Sequence, residues 1–366
     1  MIIDIILLVI KQEDKIVISK KYDLKARFFY TTLNRAEKKL YREFVEKLAK
    51  QEYEFEFEIT PQFIDFYKAY DAVIKDFPEF FYADNNAIEW VELGKLRLGC
   101  KVYYKPSEIK KIQDKMERIL HKFDHITDSF ELQVAVTDYI CKEYTYSKEY
   151  KSEKSRQEMH TLVGPIKRKK GVCSAFTKLA QFILQRRGIP TVYMIGNSKD
   201  ETIPEEDNSH AWLCVKMGGS YYHWDITAMM TDYGAYDSVM YEKFNITDKE
   251  KLEDYTYENE IYKTIVCDKT DYNYYVKKGL FFDTYDEIKS SCTKFVKEMD
   301  YTKEDFRFDF RVATEIDNEK IIDYLLTKAE IDEILKDTEY TCKEQNTELL
   351  WSDYGYCSYK IAIRKK

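Results

Sequence analysis

The sequence predicts an α+β fold in which one buried helix packs on an antiparallel sheet, with further α+β regions on either side. Three observations carry that expectation. Residues 171–188, GVCSAFTKLAQFILQRRG, place Val172, Phe176, Leu179, Ala180, Ile183 and Leu184 at helical spacing. Residues 209–227, SHAWLCVKMGGSYYHWDIT, read as two strands joined by the turn pair Gly218-Gly219. The remaining segments mix 3.6-residue and two-residue periodicities without a fixed repeat, which favours segregated helices and strands. At 366 residues, 44% hydrophobic, the chain is long enough for one large or two medium domains with a substantial core.

In chain order, residues 2–10 and 15–20 look like two strands joined at Gln12-Glu13-Asp14. Asn34, with Glu37 three residues on, opens a capping-box helix whose stripe is Leu40, Tyr41, Phe44, Val45 and Leu48. YEFEFEI alternates, with Tyr53, Phe55, Phe57 and Ile59 on one face and acids on the other, so a half-solvated strand is expected. Thr60 and Pro61 begin another helix, and IEWVELGKLRLGCKVYY suggests a hairpin around Gly94. From Pro106 the positions Ile109, Ile112, Met116, Ile119 and Leu120 are helical. A second helix starts at Asp128, with Glu131 completing its cap. Beyond residue 250, Thr284 and Glu287 cap a helix through Phe295, RFDFRV alternates as a strand, residues 321–335 read as helix and CSYKIAIRK as strand.

Candidate chemistry centres on Cys173. Gly188 and Pro190 close its helix at the far end, so the thiol falls in the first turn. There, unpaired backbone N–H groups and the helix dipole favour the thiolate, the reactive form. Alone, the position is outweighed by the ordinary fate of free cysteine, a small buried apolar side chain. The hairpin changes the balance. With Gly218 and Gly219 as central turn residues, Met217 faces Ser220 and Trp212 faces Asp225, so His210 lies one diagonal step from Asp225. A one-residue slip would send the two to opposite faces. Thiol, imidazole and carboxylate are the three groups thiol catalysis requires.

The segments GVCSAFTKLAQFILQRRGIPTVYMIG, SHAWLCV and SYYHWDIT resemble the transglutaminase-like cysteine-enzyme superfamily, in particular bacterial members with a papain-like core. Asp76 to Tyr82, DFPEFFY, resembles a phrase found upstream of that core, and Phe244 to Thr247 one that closes it. The resemblance implies a triad of Cys173, His210 and Asp225 acting on a protein or peptide substrate through a thioester. The acyl group would pass to water or to an amine, with hydrolysis ahead because nothing marks an amine site. It also implies a core at 128–249 between accessory regions 1–127 and 250–366. Two positions depart from the pattern: Leu213 follows HAW where asparagine is common, and VCSAF replaces the frequent VCDGY. The competing expectation is an idle fold serving as a binding or scaffold module.

Other groups admit blander roles. His223 shares a strand face with Asp225 and is the rival base, but its expected cross-strand neighbour is Cys214, not a carboxylate. Lys167-Arg168-Lys169-Lys170 reads first as a solvated loop and second as a site-lining basic run. Trp212 and Trp224 are expected either to wall the acyl channel or simply to pack the hairpin. His160 is expected in a loop without a partner. His121 and His125 have i,i+4 spacing but no accompanying acid motif, so no metal is expected there. A net charge of −8 argues against general nucleic-acid binding. Eight cysteines without CxxC pairs argue against a zinc ribbon or a disulfide framework. No cofactor motif is present. The apolar start is too short to span a bilayer and lacks signal-peptide features, so a reduced, cytoplasmic setting is expected.

Overall fold

The computed structural model describes residues 11–12, 15–16, 24–58, 64–84, 87–92, 95–230, 239–298, 305–313, 332–344 and 356–366. The strand expected over residues 2–10 and nearly all of the helix expected over 321–335 lie outside these. The first described strands, β1 (Lys11–Gln12) and β2 (Lys15–Ile16), form a short antiparallel pair.

After α1 (Phe28–Thr32), helix α2 (Arg35–Ala49) begins at Asn34, whose side chain accepts from the Glu37 amide at 2.9 Å while Glu37 returns a bond to the Asn34 amide at 2.7 Å. Strand β3 (Glu54–Glu58) pairs with the hairpin of β4 (Ala87–Glu92) and β5 (Lys95–Cys100), and α3 (Ile64–Asp76) lies between them in sequence. Two amphipathic helices follow, α4 (Pro106–His121) and α5 (Ser129–Glu143), the second N-capped by Asp128 as its sequence requires.

Two short helices, α6 (Glu153–His160) and α7 (Val163–Arg168), lead into α8 (Cys173–Arg186). The sequence pattern reads His160 and the basic run as loop. His160 instead ends α6, and the basic run spans the last turn of α7 and the residues just after it. Lys167 and Arg168 turn back onto the buried Glu158 carboxylate, with Lys167 Nζ at 2.5 Å and Arg168 Nη2 at 2.6 Å. Lys169 pairs with Glu143 at 2.7 Å. The three basic side chains with partners here are thus tied to acids on neighbouring helices.

The short parallel strands β6 (Thr145–Tyr146) and β7 (Lys170–Gly171) bracket α6 and α7, and helix α8 packs on β8 (Thr191–Ser198) and β9 (Ser209–Met217). Its ten residues Ala175 to Leu184 are all buried, so the single apolar face expected from periodicity becomes burial all round. The reason is the N-terminal region, which covers the side away from the sheet: Gln181 donates to the Lys75 carbonyl at 2.9 Å, and Arg27 reaches Gln185. Gly188, at φ +79°, closes the helix in the left-handed region.

Strand β10 (Ser220–Trp224) completes the glycine-turn hairpin in the expected register, Met217 opposite Ser220 and Cys214 opposite His223. Strand β11 (Phe244–Ile246) lies outside β10, and β12 (Tyr255–Tyr257) pairs with β8. The resulting antiparallel sheet has the order β11-β10-β9-β8-β12. Between β11 and β12 runs α9 (Asp248–Asp254), opened by a Thr247–Glu250 capping box. One apolar core extends from Phe29 to Tyr275 and joins the N-terminal region to this sheet. A second cluster, Phe282 to Ile363, sits under β13 (Phe281–Phe282), β14 (Asp305–Ala313), β15 (Tyr340–Glu344) and β16 (Tyr356–Lys365).

Gly196 on β8 is required by a close approach. It pairs with His210 on β9, and an added Cβ would sit 2.1 Å from the Thr256 carbonyl and 2.7 Å from the Trp212 ring. Gly196→Ala must therefore part β8 from β12 or move the indole. A cost of about 1–3 kcal/mol is expected for such overpacking. Thermal unfolding and the alkylation rate of Cys173 should both change; an unaltered pair would show that the strands yield freely.

Candidate active site

Cys173 is the first residue of α8, and the N-cap Val172 supplies no side-chain acceptor. The opening amides of the helix are therefore left to act on whatever lies in front of them. Burial pushes the Cys173 thiol up, but hydrogen bonding to His210, its charge, and the Ala211 and Ser174 amides outweigh this and set it below the usual thiol value. Thr177, one turn along, donates to the Ala211 carbonyl at 3.1 Å and fixes the helix against β9.

His210 stands near the start of β9. Its Nε2 meets Asp225 Oδ2 at 2.7 Å, leaving Nδ1 as the ring nitrogen for the thiol. The ring packs beside Tyr255, at 5.0 Å, and Trp212, at 6.0 Å, both stacked on it at a shallow angle, and those two rings are themselves 5.7 Å apart. Burial lowers the imidazolium's stability, but the Asp225 charge and hydrogen bond, with the contact to Cys173, raise His210 to about 9.

Asp225 follows directly on β10. Its Oδ1 accepts from the Ala228 amide at 3.2 Å, so the carboxylate caps the helical turn beginning at Ile226. Its amide donates to the Lys243 carbonyl at 3.0 Å. Burial would raise this carboxyl, yet the charges of His210 and Lys251 hold it far below the usual carboxylate range.

Lys251 had no counterpart in the sequence expectation. It comes from α9, beyond residue 249, and donates to the same Asp225 Oδ2 at 2.6 Å. Asp225 and Lys251 side chains are each 1% exposed. The ammonium also lies 4.2 Å from the Trp212 ring centre and 3.9 Å from that of Tyr255. One carboxylate oxygen thus serves an imidazole and an ammonium, while two aromatic rings pack both. The capping box at Thr247 was a signal for the helix, but nothing in its sequence marked Lys251.

Of the two hairpin tryptophans, Trp212 backs His210. Trp224 turns the other way, its indole N–H donating to Thr137 on α5 at 3.2 Å. Each is 1% exposed. His223 is separated from this group: its Nε2 meets Asp248 at 2.9 Å and its Nδ1 lies 3.2 Å from Cys214, the cross-strand neighbour expected. His121 pairs with Asp124 at 2.7 Å. His160 Nδ1 lies 3.3 Å from the hydroxyl of Ser174, beside Cys173. His160 also lines a cavity of about 200 Å³, whose walls carry Asp84, Arg156 and Gln157.

A thiol at a helix start, an imidazole and a buried carboxylate held together on an α+β scaffold define a cysteine-centred site. Residues 118–226 match the sequence model of the transglutaminase-like superfamily, and this segment belongs to that superfamily. No curated protein matches the chain in sequence. Among solved structures the chain is similar to a candidate cysteine protease of Cytophaga hutchinsonii, at 16% identity and a TM-score of 0.26 over 39% of this chain and 61% of that one. It is also similar to a TGase, at 13% identity and 0.29, over 39% of this chain and 44% of that one. A candidate protease of Parabacteroides distasonis aligns at 10% identity and 0.24, over 38% and 35%. The chain therefore spans less than two thirds of the length of each. Among the described residues, no helix is long and apolar enough to cross a membrane.

Proposed function

We propose that the chain is a cysteine-dependent acyl-transfer enzyme that forms a thioester on Cys173, with hydrolysis of a peptide or amide bond as its main outcome. The observation that carries this reading is the placement of His210 between two partners, the thiol on one ring nitrogen and Asp225 on the other. The Cys173 thiolate attacks the carbonyl carbon, forming the C–S bond. The oxyanion is met by amides of the helix start. His210, protonated, gives its proton to the departing amine as the C–N bond breaks. Water then loses a proton to His210 and attacks the thioester, releasing the acid and restoring the thiol. An amine in place of water gives transamidation from the same intermediate.

In this reading residues 128–249 supply the reacting groups. The flanking regions 1–127 and 250–366 supply enclosure and, through Lys251 and Tyr255, positioning. Trp212 packs against the imidazole, and Trp224 packs towards Thr137 on α5.

The test is selective alkylation. Cys173 should react rapidly with iodoacetamide at neutral pH, well ahead of the buried thiols, and an acyl probe should be captured on it. Uniform slow alkylation would favour an idle scaffold.

The pH profile follows from the shifts. The thiol is depressed and His210 raised to about 9, so the thiolate–imidazolium pair exists between the two. Activity should rise as the pair loses its first proton and fall near pH 9 as the imidazolium loses the one it donates. The values belong to the coupled pair. The sign for stability is opposite to that of a carboxylate. With the folded value above the unfolded one of about 6.5, the His210 contribution is complete below about pH 6.5 and is lost as pH rises through 9. If His210→Ala leaves the alkylation profile of Cys173 unchanged, the pairing is wrong.

A further inference from the structure

A second group of reactive side chains lies on the same hairpin and takes no part in the chemistry above. Cys214 on β9, His223 on β10 and Cys267, which follows β12 in the chain, are each 0% exposed. Their donor atoms all fall within 4.8 Å of one another. Spacing does not mark this group, because Cys214 and Cys267 are 53 residues apart and no CxxC pair is present.

We propose that these three residues form a zinc site that staples the His210–Asp225 hairpin to the segment around Cys267. The distances suit the ion. The two sulfurs stand 3.8 Å apart, and zinc–sulfur bonds of about 2.3 Å at the tetrahedral angle set an edge of about 3.8 Å. Cys214 Sγ lies 3.2 Å from His223 Nδ1, somewhat inside the corresponding sulfur–nitrogen edge of about 3.5 Å, so a small ring movement completes the fit.

The surroundings are those of a prepared ligand set. His223 Nε2 donates to Asp248 Oδ1 at 2.9 Å, which leaves Nδ1 as the unprotonated nitrogen, 3.2 Å from Cys214 Sγ. A carboxylate behind a ligating histidine fixes its tautomer and orientation. Asp248 is itself held, by the Tyr257 hydroxyl at 2.8 Å and by the Cys267 amide at 2.7 Å. In this structure the Trp212 indole N–H donates to His223 Nδ1 at 2.9 Å, so metal entry would take that lone pair from the indole.

Charge favours a divalent ion such as zinc(II) over copper(I). Both thiols release a proton to solvent on binding, and two thiolates with a neutral imidazole then make an electrically neutral site, which a fully buried position demands. Copper(I) with the same donors would leave a net negative charge in the core. Three protein donors leave the fourth position to water.

The experiment uses the full chain with Cys173→Ser, so that its outcome is independent of the acyl-transfer reading. Reduced, chelator-treated protein is titrated with zinc chloride against a chromogenic chelator, then with cobalt(II) for its visible spectrum. One equivalent should bind, with thiolate-to-cobalt charge transfer and tetrahedral d–d bands. Cys267→Ser should abolish this and Cys292→Ser, in the second core, should not. If Cys267→Ser fails to fold by circular dichroism, Asp248→Asn keeps all three donors and should weaken binding by about 10- to 100-fold. Indole fluorescence should respond to zinc in the parent and not in Trp212→Phe. Absence of a bound equivalent, equal affinity in Cys267→Ser or Asp248→Asn, or recovery of a Cys214–Cys267 disulfide from protein saturated with zinc would overturn the proposal.

Discussion

Replacing Cys173 with alanine should abolish acyl transfer while the protein stays folded. The side chain opens α8, is only partly buried, and loses a single sulfur in the change, so no large cavity results. The helix keeps its start, because Val172 is the N-cap and the Phe176 amide donates to the Val172 carbonyl at 3.3 Å. What disappears is the atom that bonds to the substrate. Loss of the nucleophile in a well-studied serine protease costs about a millionfold in turnover, and the residual rate comes from oxyanion stabilisation and binding. Single-turnover assay of the alanine variant, with circular dichroism alongside, checks both halves. Activity retained above roughly 1% of the parent would rule out a covalent thioester mechanism.

The parts of this molecule legible in the sequence are those dictated by local chemistry. The Asn34 and Asp128 caps, the Gly188 exit and the Gly218-Gly219 turn each follow from a backbone group that only certain residues satisfy. The turn then fixes the strand register, and the register fixes which side chains share a face. That is why the His210–Asp225 contact could be derived without a structure. The same register sets His223 opposite Cys214 and not opposite a carboxylate of the hairpin; its carboxylate, Asp248, comes from α9.

Long-range partners were not legible. Lys251 is one of many lysines on amphipathic helices, and neither propensity nor spacing says which one is turned inward. Its burial depends on how α9 crosses β10, a tertiary fact. The same holds for Lys167 and Arg168, whose acid Glu158 sits on a short helix that the sequence pattern did not disclose. Burial of Lys178 and Gln181 on α8 likewise reflects coverage by the N-terminal region rather than the helix's own period. In each case a polar residue inside needs a partner from a distant element, and single-sequence periodicity carries no information about that element.

Asp225→Asn should lower turnover by about a hundred- to a thousandfold, and the structure separates two reasons for the loss. The first is chemical. An amide can present its NH₂ to His210 Nε2, favouring the wrong tautomer and removing the charge that holds the imidazolium. In a serine-protease triad the equivalent change costs about 10⁴, and a thiol needs less help from its base. The second is structural. Lys251 donates to the same oxygen from a fully buried position, so the asparagine variant leaves an ammonium without its anion. Removing one partner of a buried pair costs about 3–5 kcal/mol, and the melting temperature should fall accordingly. The double variant Asp225→Asn, Lys251→Met tells the two apart. Methionine keeps the apolar stem against Trp212 and Tyr255 and withdraws the orphaned charge, so stability should largely return. Turnover should not return, because the imidazole still lacks its carboxylate. Lys251→Met alone leaves Asp225 to His210; with the opposing ammonium gone, the imidazolium is held more tightly and the alkaline limb of the pH profile should move above about 9. Turnover of Asp225→Asn within threefold of the parent, or recovery of turnover in the double variant, would show that the carboxylate serves Lys251 and the fold rather than His210.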